Sequence, residues 1–401
     1  MRNTWCFYTA SEITFGPGAV NQIGKRLAQR SFGRVLIVTD PVLEELEIAE
    51  RVRASVQAAG IAVETFDEGE PEPSLTAALR AVEHARQFKP DAIIGLGGGS
   101  NMDMAKMAAT IYTHGGQPSD YFSFDNVPGP IVPLICIPTT AGTGSEVSRA
   151  MVLTDTENKM KVSSLSNYIR PQLALIDPEL TYSCPRQVAA DSGIDALTHA
   201  IEGITATNFF DLDVAPGELT AYEGSNPLGD CIGEKAIEII GKNLRLAVND
   251  PEHTEARDKM ALAATLAGIA FSNNGVAVVH ALEYPLGGEL HCSHGAGNGL
   301  LLPFVMKFNL PQRRAKFARI AKLLGEDVQG LDEDAAAQKA IDVVVQLKKD
   351  IGIPERIRDI GGREAQLPGF AEKSFQIKRL MDLNPRTPTQ ADLLAILQDA
   401  F

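Results

Sequence analysis

Asp195 and His199 stand four positions apart in a proline-free stretch, Asp-Ser-Gly-Ile-Asp-Ala-Leu-Thr-His, in which Ile194, Ala196, Leu197, Ala200 and Ile201 give an apolar helical pattern. A helix places positions i and i+4 on one face, so one carboxylate and one imidazole point at the same spot. Further along the chain come His280, His291 and His294, out of only seven histidines in all. Imidazoles with a carboxylate suit a divalent cation, Fe2+ and Zn2+ among them. Taken alone, Asp195 and His199 could equally be an ordinary helix pair worth about 0.2–0.5 kcal/mol. The late histidines, gathered just before Gly295-Ala-Gly-Asn-Gly299, favour the metal. Spacing leaves open which two of the three would bind it.

A second chemistry is written earlier. Gly95-Leu-Gly-Gly-Gly-Ser-Asn-Met-Asp-Met-Ala-Lys106 follows an apolar run and precedes a helical pattern. Glycines let backbone approach a pyrophosphate closely, and the helix N-terminus beyond offers free N–H groups and a positive dipole end. Ser100 can cap that helix or donate to a phosphate. A bare tight turn is the plainer explanation, but Gly97, Gly98 and Gly99 in a row exceed what a turn requires. A second loop, Pro138-Thr-Thr-Ala-Gly-Thr-Gly-Ser-Glu-Val-Ser148, is rich in small hydroxyl side chains able to bond phosphate and ribose oxygens, or merely water. The usual dinucleotide fingerprint has its acidic residue about twenty positions after the glycines. Here the best candidate, Asp40, comes before them, and its plainer role is to form a turn ahead of Pro41.

Together these segments resemble the iron-containing, group III alcohol dehydrogenases. That family carries Asp-x-x-x-His and then two histidines fourteen positions apart, the second in a His-Gly pair, which falls here on Asp195, His199, His280 and His294. The resemblance leaves His291 near the metal but not on it. It makes Gly97 to Lys106 the pyrophosphate motif, with Gly97, Gly98, Gly99, Ser100 and Asp103. It lines the dinucleotide with Thr139, Thr140, Thr143 and Ser145, puts Lys161, in a following strand pair, on the ribose nearer the nicotinamide, and sets Asp40 on the adenosine ribose. A carboxylate there repels a 2′-phosphate, so NAD is expected over NADP. The metal is expected to be Fe2+, with Zn2+ or another divalent ion allowed by the donor types, and the nicotinamide to lie near His280 in a cleft between two domains.

The resemblance also implies the reaction. The cation acts as a Lewis acid on an alcohol or carbonyl oxygen while the nicotinamide exchanges a hydride with the adjacent carbon. An alcohol dehydrogenase or aldehyde reductase working as a homodimer is expected. Where many alcohol-oxidising members have a further histidine, this chain has Tyr284, and its loop Tyr222-Glu-Gly-Ser-Asn-Pro227 resembles the hydroxyacid–oxoacid transhydrogenase branch. A transhydrogenase that keeps its NAD bound is therefore the alternative. Tyr284 could donate to the substrate or simply pack before Pro285. A dehydroquinate synthase-like lyase shares the expected fold but needs more basic residues around the metal.

These residues need a scaffold. Apolar runs at residues 34–40, 61–66, 91–96, 131–137 and 173–177 alternate with helical patterns at 42–59 and 74–88, as a mostly parallel sheet with helices on both faces requires. After Pro185 the pattern is helical, at 187–206, 230–249, 255–271, 312–324, 334–349 and 389–400. The expected architecture is an α/β NAD-binding domain over residues 1–185 and an all-α metal-binding, catalytic domain over 186–401, a dehydroquinate synthase-like arrangement. A long polar loop at 208–229 reads equally as functional or as a tolerated insertion.

Composition sets the outer bounds. The 401 residues carry a net charge of −14, which argues against nucleic acid and anionic membranes and leaves a small alcohol, aldehyde or hydroxy acid as the partner. No apolar run is long enough to span a bilayer, and the first residues lack a secretory core. The five cysteines show no CxxC spacing, as expected in a reducing cytoplasm.

Overall fold

The computed structural model describes residues 2–156, 160–215 and 217–401. Two compact units emerge: residues 9–184, and Pro185–Phe401 together with the N-terminal segment up to Tyr8.

The first unit is built on a six-stranded, all-parallel sheet in the order β1-β9-β6-β4-β2-β3. Its strands are β1 (Glu12–Phe15), β2 (Arg34–Val38), β3 (Ala62–Phe66), β4 (Ala92–Gly97), β6 (Leu134–Pro138) and β9 (Leu173–Ile176). β4 and β6 are buried along their whole length, because helices cover both faces of a parallel sheet. Leu36, Val38 and Ile93 pack on one face, and Val35, Ile37, Ile94, Leu96, Ile135 and Ile137 on the other. A smaller sheet joins β5 (Ser123–Phe124), β8 (Met160–Leu165) and β7 (Ala150–Asp155), the last two antiparallel.

Five helices accompany the strands: α1 (Ile23–Gln29), α2 (Pro41–Glu45), α3 (Ile48–Ala58), α4 (Leu75–Phe88) and α5 (Gly99–His114). Ser74 caps α4, its hydroxyl accepting from Ala77 N. The helix expected over 42–59 is two, because Glu47 adopts a left-handed conformation (φ 58°) that breaks the i→i−4 ladder. The chain builds β2 and β3 outward, then crosses back to lay β4, β6 and β9 on the other side. That reversal brings the C-terminal ends of β2 and β4 side by side, where α/β sheets bind ligands.

The second unit is helical: α6 (Arg186–Thr205), α7 (Pro227–Asn249), α8 (Thr254–Asn274), α9 (Val278–Leu290), α10 (His294–Leu323), α11 (Glu333–Ile351), α12 (Leu367–Phe375), α13 (Lys378–Leu383) and α14 (Gln390–Asp399). The pattern expected at 312–324 is the far half of α10, which runs on through a break at Arg313 just after Pro311. α7 starts at Pro227 rather than Asp230, since the Asn226 side chain caps it. The N-terminal segment, assigned from sequence to the dinucleotide unit, instead joins the helices. Tyr8 N donates to Asn273 Oδ1, Asn273 Nδ2 donates to Tyr8 O, and Arg2 pairs with Glu223.

Candidate active site

The metal-type cluster is assembled from four helices of the second unit. α6 carries Asp195 and His199 one turn apart, both buried (2 % and 5 % exposed). α9 supplies His280. His291 closes α9 in the left-handed conformation (φ 54°), pointing the chain toward Ser293, whose side chain caps α10 just ahead of His294. Ser293 Oγ also donates to Asp191 on α6. α10 can come close to α6 because Gly295 and Gly299 face it: a Cβ on Gly295 would lie 2.0 Å from Asp191 O, and one on Gly299 2.7 Å from the Ile194 side chain. α8 contributes Phe271, whose ring stacks on His199 with centroids 4.2 Å apart.

One ligand atom each from Asp195, His280 and His294 lies within 4.8 Å of the others. His199 lies beside this group rather than in it, its ring stacked on His280 with centroids 4.9 Å apart and its Nδ1 3.9 Å from Asp195 Oδ2. His291 is exposed and lies outside it.

Two carboxylates that the sequence reading missed decide the chemistry. His280 Nδ1 lies 2.6 Å from Glu202 Oε2, and His294 Nδ1 bonds Glu283 Oε2. A carboxylate partner fixes the proton on Nδ1, so each Nε2 presents a lone pair to the shared point, the arrangement that orients metal-bound histidines. Glu202 Oε1 also accepts from Val279 N, so one side chain aims His280 and caps the start of α9. Helical spacing was the available signal: Glu202 stands seven positions after Asp195 and three after His199, and Glu283 three after His280.

The charge balance fits a cation. Asp195, Glu202 and Glu283 are all buried (2 %, 4 % and 0 % exposed), and three carboxylates buried together need positive compensation. Burial opposes the Asp195 charge, but His199, His294 and His280 outweigh it and hold the carboxyl below its usual range. Tyr284 follows on α9, its ring centroid 6.1 Å from that of His294. Burial raises its pKa, partly offset by the Arg379 charge, so the phenol keeps its proton and can donate.

The first unit gathers the other predicted residues at the ends of β2, β4 and β6. Asp40 caps α2, its Oδ1 accepting from Val42 N and Leu43 N, while Oδ2 accepts from Asn101 Nδ2 at 2.6 Å. Asn101, also missed from sequence, is 2 % exposed and donates to Leu96 O as well, tying Asp40 to the glycine loop. Gly97 has φ 141°, and a Cβ on it would sit 2.2 Å from Asn101 Nδ2. A Cβ on Gly99 would meet Thr143 at 2.9 Å. Thr139 N donates to Gly97 O, and Thr140 lies beside Gly98.

Ser100, Asp103, Ser145 and Lys106 bond to groups within the protein. Ser100 does not cap α5, which begins at Gly99; its hydroxyl donates to Pro71 O. Asp103 and Ser145 bond each other at 2.7 Å, and Asp103 also accepts from Val152 N. Lys106, fully buried, donates to Ser145 O and Oγ and to Ala150 O. This network braces the hydroxyl-rich loop against α5. Lys161 lies on β8 opposite Thr154, with its ammonium 3.4 Å from Glu72.

Residues 10–178 match the family described as iron-containing alcohol dehydrogenase, and residues 218–401 match the Fe-containing alcohol dehydrogenase family, C-terminal. The NAD-dependent methanol dehydrogenase of Bacillus methanolicus is 35 % identical over 395 residues, covering 98 % of this chain and 99 % of that protein. A crystal structure of 1,3-propanediol oxidoreductase superposes with a TM-score of 0.93 at 35 % identity, covering all of both chains. The sulfoacetaldehyde reductase of Bifidobacterium kashiwanohense, in complex with NAD+, superposes with a TM-score of 0.85 at 28 % identity, covering 100 % of this chain and 99 % of that one. The chain belongs to the iron-containing alcohol dehydrogenase family. It is an oxidoreductase that interconverts alcohols and aldehydes.

Proposed function

We propose that the enzyme catalyses alcohol + NAD+ ⇌ aldehyde + NADH + H+ with an iron(II) ion held by Asp195, His199, His280 and His294. The observation that carries this reading is the pairing of His280 Nδ1 with Glu202 and of His294 Nδ1 with Glu283, in two imidazoles grouped with the Asp195 carboxylate. When bound, the cation supplies Lewis acidity toward the substrate oxygen, and the nicotinamide gives or takes the hydride. Around them, Glu202 and Glu283 fix the imidazole tautomers, Phe271 backs His199, and Tyr284 offers a hydrogen-bond donor beside His294. The dinucleotide is held on the first unit, its pyrophosphate against Gly97, Gly98 and Gly99 at the start of α5. Thr139, Thr140 and Thr143 line it, Lys161 reaches the ribose nearer the nicotinamide, and Asp103 and Ser145 hold the loop shape. The substrate is a small alcohol or aldehyde.

The test is metal analysis of anaerobically purified protein, followed by chelation and readdition of Fe2+ or Zn2+. Activity is expected to vanish on chelation and to return with metal; full turnover after exhaustive chelation would sink the reading. Running the same assay on alcohols, aldehydes and hydroxy acids, with and without added NAD, separates the dehydrogenase from a transhydrogenase. The transhydrogenase alternative rests on the Tyr222-Glu-Gly-Ser-Asn-Pro227 loop and on Tyr284.

NAD preference is read from Asp40. Its Oδ1 is committed to capping α2, so glycine at this position would disturb the helix as well as the charge. Asp40→Asn keeps a capping oxygen and removes the negative charge. The kcat/KM ratio for NAD over NADP is expected to fall about tenfold or more, about 1.4 kcal/mol; an unchanged ratio refutes the assignment.

A homodimer is proposed on the exposed edge strand β1, where Ile13 and Phe15 are 39 % and 40 % exposed, a surface that a second copy can cover. Cys6, Cys136 and Cys231 are free thiols, Cys6 and Cys231 on the surface, which favours a reducing compartment such as the cytoplasm.

A further inference from the structure

Asn298 is fully buried on α10, one turn beyond His294. Its amide nitrogen lies 2.8 Å from Asp195 Oδ1, 3.2 Å from His280 Nε2 and 3.1 Å from His294 Nε2. An amide has two protons to share among these three acceptors. The carboxylate is the nearest and carries a full negative charge, so one N–H belongs to Asp195 Oδ1. Exchanging nitrogen and oxygen would turn a lone pair toward the carboxylate and both imidazole lone pairs, so the orientation follows from the partners.

The other end of the side chain is informative. Asn298 Oδ1 is buried with no hydrogen-bond partner among the described residues. An unsatisfied buried oxygen is a cost that a leucine of similar size would avoid. Packing alone therefore does not account for asparagine here; its N–H does.

We propose that Asn298 is a positioning residue that makes Asp195 a one-oxygen ligand. Carboxylates hold cations through one oxygen or through both. With Oδ1 drawn to the Asn298 amide, Oδ2 of Asp195, the oxygen on the His199 side, is the one not engaged by that bond and is favoured for the cation. The coordination position that a two-oxygen carboxylate would occupy stays available to the substrate oxygen. This rests on reading Asp195, His199, His280 and His294 as the metal ligands.

The test compares wild type, Asn298→Leu and Asn298→Asp as Co2+-loaded and Zn2+-loaded proteins. Affinity is measured by competition with a chromophoric chelator, and coordination number by the visible absorption of Co2+, which is strong for four-coordinate and weak for five-coordinate sites. Asn298→Leu is expected to bind metal about 10–100-fold more weakly, as for loss of a partner that orients a ligand. Its Co2+ band is expected to weaken as Asp195 swings to two-oxygen binding. Asn298→Asp, isosteric with the native residue and so the safer folder, places like charge against Asp195 and is expected to weaken binding too. Unchanged affinity and an unchanged Co2+ band in Asn298→Leu overturn the proposal. Tighter binding in Asn298→Asp does so as well, because residue 298 would then be acting as a ligand. If folded wild type takes up no divalent metal, the ligand assignment itself fails, an outcome distinct from variants that match a metal-binding wild type.

Discussion

His280→Ala is expected to leave a folded protein that holds no metal and has lost at least about three orders of magnitude in kcat/KM. Lewis-acid stabilisation is worth several kcal/mol, and each 1.36 kcal/mol is about a factor of ten in rate. His280 is central to the cluster: it stacks on His199, its Nε2 meets the Asn298 amide, and its Nδ1 is held by Glu202. Removing it strips one ligand and leaves Glu202 with Val279 N as its remaining hydrogen-bond donor. That carboxylate costs about 1–3 kcal/mol when it loses a partner, which a stability of about 5–15 kcal/mol absorbs. Metal content, activity with excess Fe2+ and far-UV circular dichroism check the three parts. A variant that keeps both its metal and its turnover would remove His280 from the site.

Gly97→Ala is expected to weaken NAD binding about 10–100-fold while metal content stays at the wild-type level. At φ 141° an L side chain is strained, by about 1–3 kcal/mol. The new methyl would also fall 2.2 Å from Asn101 Nδ2, displacing the side chain that links Asp40 to Leu96 O. Each 1.4 kcal/mol transferred to binding is about tenfold in Kd. Gly98→Ala is the internal control. Its added Cβ meets only Thr140 at 3.7 Å, an ordinary contact, and its φ is −72°. Titration of NAD by fluorescence or calorimetry reads both variants. Equal losses in the two would place the glycine effect elsewhere than in Asn101.

The scaffold was legible wherever one short-range rule decided the outcome. Val35 to Val38, Ile93 to Leu96 and Leu134 to Ile137 are apolar because both sheet faces are covered, and they read as buried strands from composition alone. Ser74 marked the start of α4 because a hydroxyl cap acts within one turn. Asp195 and His199 were visible as a pair because both lie on α6. What stayed hidden depended on partners distant in sequence. Glu202 acquires its role only when α9 brings His280 to it, 78 positions away, and Asn298 meets Asp195 across 103. Asn101 looked like a spacer in the glycine motif, since its partner Asp40 sits 61 positions earlier. The break at Glu47 was hidden for the opposite reason: a left-handed glutamate leaves no local signature.

The chain enters the helical unit with its first eight residues, leaves it for the whole α/β unit, and returns at Pro185. The α/β unit is thus an insertion between two parts of the helical one, and folding order follows. During synthesis the inserted unit has all its strands once β9 has emerged, and it can close while most of the helices are still unmade. The opening residues must wait: Asn273, the anchor of Tyr8, is translated 265 positions later. Deleting residues 2–8 would therefore leave the nascent sheet untouched and register only in the last-folding half, where Asp195, His199, His280 and His294 reside.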